Sequence, residues 1–207
     1  IDGLVALGGA YWDNMLQACS FVGVGIEGCI VPLRSGMTAP TNNNFLSTDL
    51  SQTTGLLSTG TEYLGTNIST TSISQDDCSM GVYLTDARDG GANRYMGANT
   101  AFEILGNTTG FRARLFTGTI STCGTSTSNA GLIGVSRDNS ADFDWLYETA
   151  GTNAIASTTI ATNDVNVFRS SSAPVSSRFA TYHLGPALDL ATLEALQDTL
   201  ISEIAAI

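Results

Sequence analysis

The sequence predicts an all-β sandwich with a short N-terminal helix and one closing C-terminal helix. Three observations predict it. Short runs rich in β-branched and aromatic residues recur along the chain, bounded by Gly, Asn, Asp and Ser turns. Helical periodicity is sustained in one long stretch only, at the C-terminal end. The chain has 207 residues, 43% hydrophobic and 13% charged, which suits one domain with a substantial core rather than a disordered segment.

The elements follow in order. Trp12, Met15, Leu16 and Cys19 recur at helical spacing, so residues 10–19 read as a short helix and 1–20 as an N-terminal helical segment. The sandwich then spans residues 21–207. Strands are expected at 21–24 and 28–33. Residues 35–54 are polar and turn-rich, with Pro40 and Asn42 to Asn44. Further strands fall at 61–66, 80–85, 93–98, 101–105, 111–116 and 132–136, then at 143–147, 164–169 and 178–185. Asp189 caps a helix over 189–206, with Leu188 and Leu193 as its hydrophobic staple. Its stripe is Leu193, Leu196, Leu200, Ile204 and Ile207, packed on the chain's own sheet.

All eight basic residues are arginine and the net charge is −11. Phosphate binding needs a basic footprint, so no nucleic-acid partner is expected. No run of 18 apolar residues occurs, so no membrane-spanning helix is expected. Four cysteines, Cys19, Cys29, Cys78 and Cys123, admit three pairings. Cys19–Cys29 with Cys78–Cys123 is the most economical, and four small buried thiols is the alternative.

Catalytic signals are weak. Asp142 and Asp144 share a strand face, but nothing near them in sequence would separate their pKa values, and two turn aspartates is the better reading. His183 lies between Tyr182 and Leu184 with no nucleophile elbow in the chain, which suits a structural histidine. No catalysis is therefore expected. Calcium is the one cofactor the sequence offers, through Asp76 and Asp77 or through Asp86 and Asp89, although neither loop has EF-hand spacing. Tyr95, Trp145 and Tyr147 are candidate sugar platforms beside Asp142 and Asp144, but Trp145 and Tyr147 share a face with Phe143, which fits a core stripe better.

One resemblance adds to this. Pro32-Leu33-Arg34-Ser35-Gly36-Met37-Thr38-Ala39-Pro40-Thr41-Asn42-Asn43-Asn44-Phe45, Thr54-Gly55-Leu56 and Tyr63-Leu64-Gly65-Thr66-Asn67 resemble virion structural proteins of tailed phages, particularly cyanophages. Residues 133–140 and the closing segment 178–185 look like the same family. The resemblance implies a concanavalin-A-like or laminin-G-like jelly-roll sandwich on the virion exterior, as a capsid decoration, fibre or tail-fibre domain. It implies other virion proteins as partners, a homo-oligomer (a trimer, with 4–15 as seam) and host cell-surface polysaccharide as ligand. A glycan-cleaving depolymerase is the alternative.

Overall fold

The computed structural model describes residues 14–23, 25–86, 93–107, 110–124, 130–158, 162–170 and 175–206. In chain order they form β1 (Gln17–Ser20), β2 (Thr41–Asn43), β3 (Leu50–Ser51), β4 (Gly55–Thr59), β5 (Tyr63–Ser69), β6 (Cys78–Leu84), β7 (Arg94–Asn99), β8 (Phe102–Asn107), β9 (Gly110–Leu115), β10 (Ser121–Cys123), β11 (Gly131–Arg137), β12 (Phe143–Tyr147), β13 (Thr149–Asn153), β14 (Asp164–Val167), β15 (Ser176–Gly185) and the helix α1 (Leu190–Ala205). Two antiparallel sheets make a sandwich. The first runs β13-β12-β11-β6-β15-β4-β3, with β1 on the free side of β15; the second runs β10-β9-β8-β7-β14-β5-β2.

Alternation explains the packing. On β5, Leu64, Thr66 and Ile68 point inward while Tyr63, Gly65 and Asn67 point out. All of β11 is buried, because one face meets the core and α1 covers the other. The interior is aromatic-rich: Phe168 stacks on Phe179 with centroids 4.1 Å apart, and Tyr95 meets Phe179 edge-on.

A second apolar cluster lies under α1, built from Met15, Ala18, Leu132, Leu146, Leu190 and Leu193. A missing side chain lets the helix approach, since a Cβ at Gly134 would come within 2.8 Å of Leu190; within the sheet, one at Gly81 would come within 2.5 Å of the His183 ring on β15. Asp189 caps α1 by accepting from the amides of Ala191 and Thr192.

Several expectations change. Residues 17–19 are not helical; β1 pairs with β15, so the sandwich begins before residue 21. Residues 14–16 are not helical either; residues 10–13 of the expected helix, and most of the expected oligomer seam, lie outside the described residues. Met15, within that seam, is buried in the chain's own fold. Residues 26–30 form a 3-10 turn rather than a strand, closed by the Gly28 amide donating to Gly25 and the Val31 amide to Gly28. Residues 21–23 lie beyond β1, and only the Phe21 amide still reaches β15, donating to Ala180 at 2.7 Å. On α1 the buried stripe passes through Gln197, not Leu196, because the Gln197 amide donates to Thr181 on β15 at 2.8 Å.

Neither disulfide pairing forms. All four cysteines are free and buried. Cys29, Cys78 and Cys123 donate to the backbone carbonyls of Gly25, Gln75 and Ser121, and Cys19 accepts from the Tyr182 hydroxyl. Burial pushes each thiol up to about 12, which keeps them protonated and unreactive.

Candidate functional site

A groove of about 660 Å³ lies where the edge hairpin β12–β13 meets the start of α1. Its floor is the outer face of the first sheet. Register aligns Ser136, Asp144 and Thr152 in one row across β11, β12 and β13, and Gly134, Leu146 and Ala150 in the next. Its wall is residues 187–191, seated by the Leu188 amide donating to the Ser136 hydroxyl at 2.9 Å.

The groove is chemically two-sided. Leu146, Ala150, Ala187, Leu188, Leu190 and Ala191 supply apolar surface. Asp138, Asp144 and Asp189 supply carboxylates, and no lining residue is basic. Asp144 accepts from the Thr152 hydroxyl at 2.6 Å and Asp138 from the Asn139 amide at 2.8 Å. The Thr192 amide and hydroxyl hold the Asp189 carboxyl below its usual range, and the Ala191 amide adds to this against a small opposing effect of burial. Exposed carboxylates keep further lone pairs, so the groove suits a ligand that presents hydroxyl donors and an aliphatic face.

The expected site residues are placed as follows. Asp144 belongs to the groove. Asp142 is one residue ahead of β12, and its carboxylate is tied into the turn by the Asn139 side chain. Trp145 lines the groove, but its ring leaves from the inner face, opposite Gly151 and against Phe111. Tyr95 and Tyr147 are fully buried and offer no sugar platform. Inward phase decides this: Phe143, Trp145 and Tyr147 form the core stripe.

Of the calcium candidates, Asp76, Asp77 and Asp86 are each engaged by other groups. Asp76 accepts from the Ser157 hydroxyl, Asp77 from the Ala187 amide, and Asp86 faces Arg178 at 3.5 Å. Asp89 lies outside the described residues. Among the described residues no three His, Cys, Asp or Glu side chains cluster to hold a metal. His183 is buried on β15 with its ring against Gly81 of β6, and burial pushes its pKa down to about 3.

One residue that shapes the groove is not apparent as such in the sequence. Arg137 is wholly buried, following the inward phase of Ile133 and Val135. Its guanidinium donates to the carbonyls of Leu115 (3.2 Å), Asn139 (3.3 Å) and Ile155 (2.9 Å), and lies over the Phe143 ring. It thereby fixes the 138–142 turn that presents Asp138. An arginine in the inward phase of an apolar strand is the signal that could have found it.

Solved structures share this fold. The binding domain of botulinum neurotoxin serotype D superposes with a TM-score of 0.64 at 7% identity, over 92% of this chain and 53% of that one. Domain 4 of AbnA, a GH43 extracellular arabinanase from Geobacillus stearothermophilus, was solved in complex with arabinotriose. It superposes with a TM-score of 0.51 at 13% identity, over 88% of this chain and 98% of that one. The receptor-binding domain of botulinum neurotoxin D gives 0.58 at 6% identity, over 91% and 53%. The chain spans about half the length of the botulinum chains. At these identities the likeness establishes the fold, a β-sandwich that binding domains also use. No family model and no curated protein sequence matches the chain.

Proposed function

We propose that this chain is a glycan-binding module, displayed as a structural component on the exterior of a tailed-phage particle, where it contacts host cell-surface polysaccharide. The observation that carries the binding reading is the groove. Its carboxylates stand beside apolar side chains with no base among them, which matches the hydroxyls and C–H faces of an uncharged sugar. The shared fold supports this reading, since one superposing domain was solved with arabinotriose. The virion placement rests on the sequence resemblance at residues 32–45, 54–56 and 63–67. A homo-oligomer fits such a placement, because repeated exterior proteins assemble with closed symmetry.

Binding rather than cleavage is the proposed activity. Glycoside hydrolysis needs one carboxyl held protonated opposite an ionised one. Of the groove's three, Asp189 is pulled the other way by its amide and hydroxyl donors. The test is titration calorimetry with neutral oligosaccharides released from host envelope polysaccharide, paired with an assay for new reducing ends. Saturable binding that Asp144→Ala weakens about tenfold, with no new ends, is the expected result; one charge-assisted hydrogen bond carries about that much. New reducing ends that disappear in Asp144→Asn would replace this reading with the depolymerase.

A further inference from the structure

The outer face of the second sheet has a different character from the groove. Register places Thr41, Gly65, Asn166, Gly97, Glu103 and Arg114 in one row across β2, β5, β14, β7, β8 and β9. A parallel row places Arg94, Leu105 and Arg112 beside it. Adjacent strands lie about 4.8 Å apart, so the long row runs on the order of 24 Å. At one end Gly65 is bare backbone, ringed by the side-chain amides of Asn43, Asn166 and Asn67 within 3.7 to 3.9 Å of where its Cβ would stand. At the other end Glu103 is buried between Arg94 (2.9 Å) and Arg114 (3.1 Å) and accepts from the Ser170 hydroxyl. Arg169, after β14, lies over the Tyr63 ring at 4.2 Å.

Four of the eight arginines in a chain of net charge −11 therefore stand on one sheet face. Glu103 is the one acid among them in the described residues. Asp164 sits at the far end of β14. Glu62 is folded into its own turn, accepting from Thr59 and Thr61, so it does not reach across the face. The Nε atoms of Arg112 and Arg114 are buried with no hydrogen-bond partner.

We propose that this face is a second ligand-binding surface, and that its ligand is an acidic polysaccharide carrying carboxylate or sulfate groups. The guanidinium fork matches either group. The amides around Gly65 match neutral hydroxyls further along the same chain, and the length of the row suits an extended polymer rather than a single ion. Nucleic acid fits less well. Its charge is dense and unbroken, and the remaining surface of a −11 chain opposes it. This surface is separate from the groove, so either proposal can fail alone.

The test is calorimetry at low salt with four polymers: polygalacturonate, dextran sulfate, neutral dextran and a single-stranded oligonucleotide. Arg112→Gln and Arg169→Gln are the variants, because neither side chain pairs with Glu103. Asn166→Asp adds an acid to the row and serves as a third, and Asp144→Ala is the groove control. The expected result is saturable binding of polygalacturonate or dextran sulfate and none of dextran. Each of the three row variants then weakens binding about five- to tenfold, and Asp144→Ala changes it less than twofold. Which polymer binds names the acid. The proposal is overturned if neither acidic polymer binds, if the row variants leave binding unchanged, or if the oligonucleotide binds as tightly as the polysaccharide.

Discussion

Replacing Arg137 by Met tests how the groove is held. The substitution keeps an aliphatic stem but removes a guanidinium that serves three carbonyls and lies over the Phe143 ring. Asn139 is exposed, so water replaces its lost partner. The carbonyls of Leu115 and Ile155 are less accessible, and an orphaned buried acceptor costs about 1–3 kcal/mol. Relief from burying a charge offsets part of this, leaving a net loss of about 2–4 kcal/mol. In a domain of this size 1 kcal/mol moves Tm by about 2–4 °C, so calorimetry should show a drop of about 4–16 °C. The 138–142 turn should also loosen, with faster amide exchange at Ala141 and Asp142, whose amides donate to Asn139. A Tm within 2 °C of the parent, with unchanged exchange, would refute the assignment of Arg137 as the staple of this turn.

Other perturbations follow from the same geometry. His183→Leu should match or exceed the parent's stability at pH 7, because both ring nitrogens are buried without partners; a loss above about 2 kcal/mol in urea would contradict this. The fold holds His183 neutral down to about pH 3, whereas an unfolded histidine takes up its proton near 6.5. Its contribution is therefore complete above pH 6.5 and is lost as pH falls toward 3, at up to about 1.4 kcal/mol per pH unit. His183→Leu should flatten the stability profile by that slope between those limits, and parallel urea profiles would argue against it. Leu193→Ala removes a fully buried side chain beneath α1 and should cost about 2–5 kcal/mol by urea melts. Deleting residues 189–207 strips Leu190, Leu193 and Leu200 from the sheet and should abolish cooperative melting. Asp189→Ala should cost about 1 kcal/mol through the lost cap, read from the same melts.

Much of the fold was legible because alternation and capping are local signals. The strands β5 to β9, β11 and β12 and the capped helix α1 lie close to where side-chain period and Asp189 put them, whereas the three-residue β10 was not expected. What was missed depends on partners distant in sequence. β4 pairs with β15 more than a hundred residues away, and β13 is a polar edge strand with no apolar face to announce it. Gln197 reads as a solvated residue until Thr181 is placed beneath it. Of the candidate site, the core role of Phe143, Trp145 and Tyr147 was readable from period two, whereas Asp144 read better as a turn aspartate and stands on β12. Tyr95 read as a candidate sugar platform, yet it packs between the sheets. The wall at 187–191 was not readable, because it depends on where α1 docks. The arginines on the second sheet were hidden because they come from β7, β9 and the segment after β14, and only the pairing of those strands brings them to one face.

The most direct test of the central claim is a two-dimensional amide spectrum of the full chain titrated with neutral oligosaccharides from host surface polysaccharide. Saturable shifts should be confined to residues 136–138, 144–146, 150–152 and 187–191, the rows and wall of the groove. Shifts scattered over the surface, or none at any concentration, would contradict a glycan-binding role for the groove.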